Sequence, residues 1–211
     1  IFISDLHLGS PVSKTDELLL FLESTKCDNL YIVGDFIDFF HLYEHHGWSH
    51  KCNLIIRKLF TKVGKDTNIK IAVGNHDAFL GILDQFQLGK ISVAHEFIHQ
   101  NHFLDYLVCH GDKFDNSLRF FSVNKLACYA NLHLRWIPLI TRLIKLIHIF
   151  SKRNMNWNKL HNHLSHKNVQ GCIMGHTHEP GRDGQVWNCG DWTDHCSAVV
   201  ETDEHEIKLL N

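Results

Sequence analysis

The residues best equipped for chemistry sit in five short polar clusters. These are Asp5 and His7 in FISDLHLG, Asp35 in GDFID, Asn75 and His76 in GNHD, His110 in HGD, and His176 and His178 in GHTH. With 19 histidines in 211 residues, one H-x-H pair carries little weight by itself. Any single cluster could equally be an ordinary turn, since Gly, Asn and Asp favour turns for backbone reasons, and Asp35 could serve only as a cap. The repetition is what matters, because all five clusters directly follow an apolar run. Together Asp5, His7, Asp35, Asn75, His110, His176 and His178 supply two carboxylates, one amide oxygen and four imidazoles. His76 is left over. Seven donors are too many for one ion and suit two ions that share a bridging carboxylate. Mixed oxygen and nitrogen donors without thiolate favour Mn²⁺, Fe²⁺ or Zn²⁺ over Ca²⁺ or Mg²⁺. In extended backbone, side chains two apart point the same way, so His176 and His178 are expected to face one point from a strand end.

The elements that must position these groups follow from the apolar runs. IFIS, LYIV, IKIAV, YLVC and GCIM are apolar at consecutive positions and read as buried strands. TDELLLFLEST and HKCNLIIRKLFTKV carry helical spacing between the early strands, with Thr15 as the expected N-cap of the first. The alternation predicts a layered α/β domain, and loops at the carboxyl ends of strands in such folds converge on a site. The tail SAVVETDEHEIKLL reads as two strands around a turn at Thr202 to His205. Residues 117–153 break the rhythm and read as two amphipathic helices divided near Pro138. A single domain over 1–211 with a helical cap inserted at 117–160 is the expected organisation.

Composition bounds the function classes. The length suits one domain with a sizeable core, and 44% hydrophobic against 21% charged residues reads as globular. Seven scattered cysteines contain no C-x-x-C pair, which argues against a zinc knuckle and for buried free thiols in a reducing compartment. The most apolar stretch, Leu132 to Phe150, carries Arg135, Arg142 and Lys145, which argues against its spanning a bilayer. The net charge of −2 hides an asymmetry. No Asp or Glu occurs from Asn116 to His178, where nine of the 21 basic residues lie. Basic residues mixed with Leu and Ile suit acyl chains and an anionic membrane surface. A packed helical hairpin and a homodimer surface are the other readings of this segment. Nucleic acid is not expected as a partner, because the basic residues are mixed with Leu and Ile, which fits lipid better.

The series D-x-H, G-D, G-N-H-D, H-G-D, G-H-T-H resembles the calcineurin-like metallophosphoesterase superfamily, over nearly the whole chain. The resemblance implies a pair of packed mixed β-sheets flanked by helices, with a two-metal site at the strand ends. It implies a first metal, most often manganese with iron or zinc as further candidates, on Asp5, His7, Asp35 and His178. The second metal would lie on Asp35, Asn75, His110 and His176, with Asp35 bridging. His76 would stabilise charge or protonate the leaving oxygen, and Asp77 would orient His76 as an acceptor. FISDLHLGS, GDFIDFF, GHTHEP, NCGDWTDHCSAVVE and the insertion after HGD are similar to bacterial UDP-2,3-diacylglucosamine pyrophosphatases of the lipid A pathway and their relatives. The well-known enzymes of that activity carry GNRD where this chain has GNHD, so the resemblance is to the broader related group. It implies a metal-dependent hydrolase releasing UMP and a lipid monophosphate, cytoplasmic and peripheral on the inner face of the membrane. A soluble phosphodiesterase or phosphatase acting on nucleotides is the alternative enzyme, and a non-catalytic scaffold of the same fold is the alternative of another class. Asp38, Asp191 and Arg182 are further candidates for the site's surroundings, Asp112 and Asp115 are read as structural, and Trp192 as packed.

Overall fold

A computed structural model of the chain describes residues 1–45, 47–116 and 155–210. Among them the strands are β1 (Phe2–Ile3), β2 (Asn29–Val33), β3 (Asn68–Ala72), β4 (Phe86–Leu88), β5 (Ile91–Ala94), β6 (Glu96–Gln100), β7 (Asp105–Cys109), β8 (Gly171–Met174), β9 (Gly181–Asp183), β10 (Val186–Asn188), β11 (Ala198–Glu201) and β12 (Ile207–Leu210). The helices are α1 (Thr15–Ser24), α2 (Phe39–His45), α3 (His50–Val63) and α4 (Trp157–Lys167). Seven strands form one sheet in the order β12-β11-β1-β2-β3-β5-β4, and five form a second in the order β6-β7-β8-β10-β9. Both are mixed. β1, β2, β3 and β5 run parallel, as do β7, β8 and β10, with antiparallel strands at the edges.

Side-chain alternation along each strand builds the layers. Phe2, Tyr31, Val33, Tyr106, Val108 and Ile173 point between the sheets and form a shared core. Their sequence neighbours point outward. Ile3, Leu30 and Ile32 meet Leu18 and Leu22 of α1 and Ile55 and Leu59 of α3. Leu107, Cys172 and Met174 meet Leu160 and Leu164 of α4. The result is helix, sheet, sheet, helix, with both faces of each inner strand covered. This explains why LYIV, YLVC and GCIM are apolar throughout instead of alternating, whereas Lys70 interrupts IKIAV.

All five expected strands form, as do both helices and the terminal hairpin. The cap of α1 differs from expectation. Thr15 is the first helical residue, and the cap position is Lys14, whose side chain makes no capping bond. Helix α3 is capped by Ser49, whose side chain accepts from the Cys52 N–H. The greater part of the expected cap, residues 117–154, lies outside the described residues. Trp157–Lys167 packs as α4 on the second sheet. Among the described residues no helix is long and apolar enough to cross a membrane, and Cys52, Cys109, Cys172 and Cys189 are buried free thiols.

An ion-pair knot ties α4 to its sheet. Glu96, at the start of β6, receives Lys113 Nζ at 2.5 Å and His163 Nε2 at 2.9 Å, together with Lys167. Burial alone would raise the Glu96 carboxyl, but hydrogen bonds from Lys113, Lys167 and His163 outweigh it and hold the group down at about 2. A carboxylate held below its unfolded value adds stability above that value and loses it as pH falls toward the folded value. The wild type is therefore expected to exceed Glu96→Gln in urea midpoint at neutral pH. That margin should close between about pH 4.5 and pH 2. A margin that stays constant across this window would show the knot to be energetically silent.

Candidate metal centre

The polar clusters lie where parallel strands end and their loops stay hydrogen-bonded to one another. Asp5 N–H donates to the Gly34 carbonyl at 3.2 Å, His7 N–H to the Asp35 carbonyl at 2.9 Å, and Leu8 N–H to the Phe36 carbonyl at 3.0 Å. The β1–β2 ladder is thus prolonged through both loops and fixes three candidate ligands. Gly175 N–H donates to the His110 carbonyl at 3.0 Å and brings the GHTH loop to the HGD loop.

The backbone here is strained. Asp5, His7, Asp35, His176 and His178 all have left-handed φ, between 45° and 69°, and make up half of the ten such non-glycine residues described. Each costs about 1–2 kcal/mol relative to ordinary backbone, and such strain collects at functional sites. Close approach also fixes two motif glycines. A Cβ on Gly34, itself at φ +84°, would lie 2.4 Å from the His110 ring, and one on Gly175 would lie 1.7 Å from Ser4 Oγ.

Asp35 is the hub. Its Oδ2 lies 3.7 Å from His7 Nε2 and 3.3 Å from His110 Nε2, while its Oδ1 accepts the His76 N–H at 2.8 Å. Asp5 Oδ1 lies 3.2 Å from His178 Nε2 and 3.8 Å from His7 Nε2. Asp5 Oδ2 accepts from Ser4 Oγ and, at 3.0 Å, from His176 N–H. His110 Nδ1 lies 3.1 Å from the Val33 carbonyl, and its Nε2 lies 3.1 Å from Asn75 Oδ1. Three triads result, Asp5–His7–His178, Asp5–Asp35–His110 and His7–Asp38–His76, each with ligand atoms within 4.8 Å of one another.

The donor set fits divalent cations. Asp5 Oδ1 and His7 Nε2 are buried polar atoms without a hydrogen-bond partner, a costly arrangement that bound ions would relieve. His110 Nε2 faces two oxygen acceptors at once, which only a proton or a cation between them can reconcile. Accordingly, burial would lower the His110 imidazole, yet Asp35 and Asp5 raise it well above its ordinary value. His178 follows the same logic. Burial opposes its charge, but Asp5 and Asp191 push it up to about 10.

Three expectations need correction. His176 and His178 do not project together from a strand. β8 ends at Met174, both residues adopt left-handed backbone, and the rings diverge. His176 Nε2 lies 3.0 Å from Asp115 Oδ2, with its ring edge-on to His110 at 5.2 Å, whereas His178 Nδ1 lies 2.8 Å from Asp191 Oδ2. Asp77 does not hold His76. Its two oxygens accept the Gly74 N–H at 2.6 Å and the Phe36 N–H at 2.7 Å, so it clamps two loops together. Burial and the Asp35 charge push Asp77 up to about 6. The carboxylate beside His76 is Asp38, whose Oδ1 lies 3.3 Å from His76 Nδ1 and whose Oδ2 lies 3.5 Å from His7 Nδ1. Burial would raise Asp38, but His7, His76 and the His41 N–H hold it well below the usual carboxylate range. Asp115, read as structural, stands directly behind a candidate ligand. Arg182 points elsewhere, with Nε on the Gly184 carbonyl at 2.8 Å and its guanidinium over Trp187. Ser4 was missed, and a serine before the first motif carries no signal of its own.

His76 sits at the rim, edge-on to His7 at 4.6 Å and to Phe40 at 5.3 Å. Burial would lower its imidazole, but Asp38 and Asp35 raise it above its ordinary value.

The two-sheet sandwich gathers carboxylates, an amide and imidazoles at its strand ends, a donor set suited to divalent cations. The family model for calcineurin-like phosphoesterases matches residues 1–180, and the chain belongs to that family of phosphoester hydrolases. No curated protein matches the chain. Similar solved structures include a novel archaeal phosphodiesterase, 13% identical over 99% of this chain and 96% of that one, with a TM-score of 0.47. A predicted phosphoesterase from Streptococcus pneumoniae is 15% identical over 100% and 95%, with a TM-score of 0.45. Vacuolar protein sorting 29 from Cryptosporidium parvum is 10% identical over 99% and 93%, with a TM-score of 0.50. Only the last reaches a TM-score of 0.50, and at 10% identity that likeness is one of fold alone.

Proposed function

We propose that the site hydrolyses a phosphate anhydride with divalent cations bound, and that the substrate is a lipid-linked nucleotide. UDP-2,3-diacylglucosamine, cleaved at its pyrophosphate to a lipid monophosphate and UMP, is the specific reading. The observation that carries the hydrolytic reading is the placement of Asp35 Oδ2 between His7 Nε2 and His110 Nε2, one imidazole from each half of the site. Divalent ions bound there supply Lewis acidity and a water of lowered pKa. Manganese is the first candidate, with iron and zinc behind it. The chain's own residues do the rest. Asp5, His7, Asp35 and His178 hold one position, and Asp35, Asn75, His110 and His176 the other. Asp38 Oδ1 lies 3.3 Å from His76 Nδ1 and favours the charged ring, which leaves Nε2 to give a proton to the leaving oxygen.

The lipid-linked substrate rests on the sequence. The motifs resemble the broader group related to those enzymes, with GNHD where they carry GNRD, and the acid-free run from Asn116 to His178 with its nine basic residues suits a peripheral seat on an anionic membrane. A second reading, a soluble phosphoesterase acting on nucleotides, is favoured by a cavity of about 480 Å³ beside Asn75 and His110. Asp112, Lys113 and Lys159 also line it and offer charged contacts to a small phosphoester.

The deciding experiment strips the protein with a chelator, restores Mn²⁺, and compares UDP-2,3-diacylglucosamine in mixed micelles with bis(4-nitrophenyl) phosphate and simple nucleotides. Turnover should vanish with the metal and return with it, and UMP release from the lipid substrate should be fastest. The reverse order of substrates would install the soluble reading. Full metal loading without turnover of any substrate would leave the chain a scaffold.

A further inference from the structure

We infer that Asp115 and Asp191 are positioning residues that divide the two GHTH histidines between two metal positions, each by holding a different ring nitrogen. The inference rests on the reading above that the site binds two cations. His176 and His178 share a left-handed φ, 69° and 62°, which by itself does not select the ring nitrogen that each presents. The rings differ in what holds them. Asp115 Oδ2 lies 3.0 Å from His176 Nε2, and Asp191 Oδ2 lies 2.8 Å from His178 Nδ1. Both aspartates are buried, at 6% and 2% exposure. An ionised carboxylate only accepts, so the nitrogen facing it carries the proton and the other nitrogen offers the lone pair. That leaves Nδ1 of His176 and Nε2 of His178. His178 Nε2 in fact lies 3.2 Å from Asp5 Oδ1, one of the buried oxygens without a hydrogen-bond partner. The His176 ring instead lies against His110, in the other half of the site.

Asp191 is itself locked. Its Oδ1 accepts Asp194 N–H at 3.0 Å and His195 N–H at 2.8 Å, and Thr193 Oγ1 donates to its Oδ2 at 3.0 Å. The next residue ties the same loop to the opposite ligand. Trp192 N–H donates to the Asp5 carbonyl at 3.1 Å, and its buried indole packs on Phe21. One loop therefore sets the His178 ring and the Asp5 backbone together. This loop lies beyond residue 180, where the family match ends, so one metal position is completed from outside it.

The test uses Asp191→Asn and Asp115→Asn, which keep side-chain size and an acceptor oxygen but remove the charge. Mn²⁺ titration calorimetry on the chelator-treated proteins should show two sites in the wild type. Each variant should keep one site at wild-type affinity and weaken the other about 10–100-fold, the scale for carboxylates behind ligating histidines. The site weakened in Asp191→Asn should be the one lost in His178→Ala, and that weakened in Asp115→Asn the one lost in His176→Ala. Independently of any variant, ¹⁵N shifts of the Zn²⁺-loaded wild type should show His178 metallated at Nε2 and His176 at Nδ1. The same nitrogen on both rings would overturn the inference. So would equal weakening of both sites, or unchanged affinities in folded variants. A wild type that takes up no cation would overturn the two-cation reading and this inference with it.

Discussion

Asp35→Asn is expected to leave a folded protein that binds divalent metal poorly at both positions and turns over on the order of 10³-fold more slowly, the scale for removing a preorganised electrostatic group. Asparagine is the informative replacement for two reasons. It tolerates the left-handed backbone that Asp35 adopts at φ 49°. Its amide oxygen can still accept the His76 N–H that Oδ1 now receives at 2.8 Å. What disappears is the negative charge at Oδ2, which stands 3.7 Å from His7 Nε2 and 3.3 Å from His110 Nε2. Those imidazoles belong to different halves of the site, and Asp35 Oδ2 lies within 4 Å of both. Asp35 is 2% exposed, and solvent cannot substitute for the lost charge. Metal content by plasma spectroscopy, circular dichroism and steady-state kinetics on one preparation would decide the matter. Normal activity with normal metal content would sink the shared-ligand assignment.

The layered fold was legible because burial on both faces writes itself into sequence. Leu107 and Val108 are adjacent and both fully buried, one facing α4 and the other the first sheet, so the run could not alternate. β4 was not legible. Phe86, Gln87 and Leu88 are all exposed, so no burial pattern marks them. The helix α2 was also hidden, since it follows directly on the GDFID cluster that drew the chemical reading. The ligands themselves were legible as types after strands. Their geometry was not, because left-handed backbone at an Asp or His leaves no trace in composition. That is why the expectation of an extended H-x-H pair failed. The carboxylates behind the histidines were obscured by distance along the chain. Asp38 lies 38 positions before His76 and Asp191 lies 13 after His178, and only the fold brings them together. Asp77 was assigned to His76 by adjacency, yet a side chain next in sequence is poorly placed to face its neighbour, and its oxygens serve backbone amides instead.

His76→Ala should separate chemistry from metal binding. His76 is the one imidazole of the five clusters with no ligand role, and its ring is partly exposed at the rim while His7 and His110 are buried. The Asp38 carboxylate lies 3.3 Å from its Nδ1, and Asp38 with Asp35 favours its charged form against the cost of burial. A group held this way is suited to deliver a proton to a departing oxygen. Its loss should cost on the order of 10²–10⁴ in rate, the usual contribution of a positioned acid. Metal stoichiometry should stay at the wild-type value, because the His76 N–H that meets Asp35 Oδ1 is backbone and survives the substitution. The size of the defect should depend on the leaving group. A diester that expels an alkoxide needs that proton and should show the full loss, whereas a phosphate released from an anhydride departs readily as its anion. A 4-nitrophenyl ester leaves readily as its anion and should show far less. An equal loss on both substrates would assign His76 to binding the phosphate charge. Loss of one metal equivalent would make it a ligand, with Asp38 and His7 as its partners in the third cluster of donor atoms at this site.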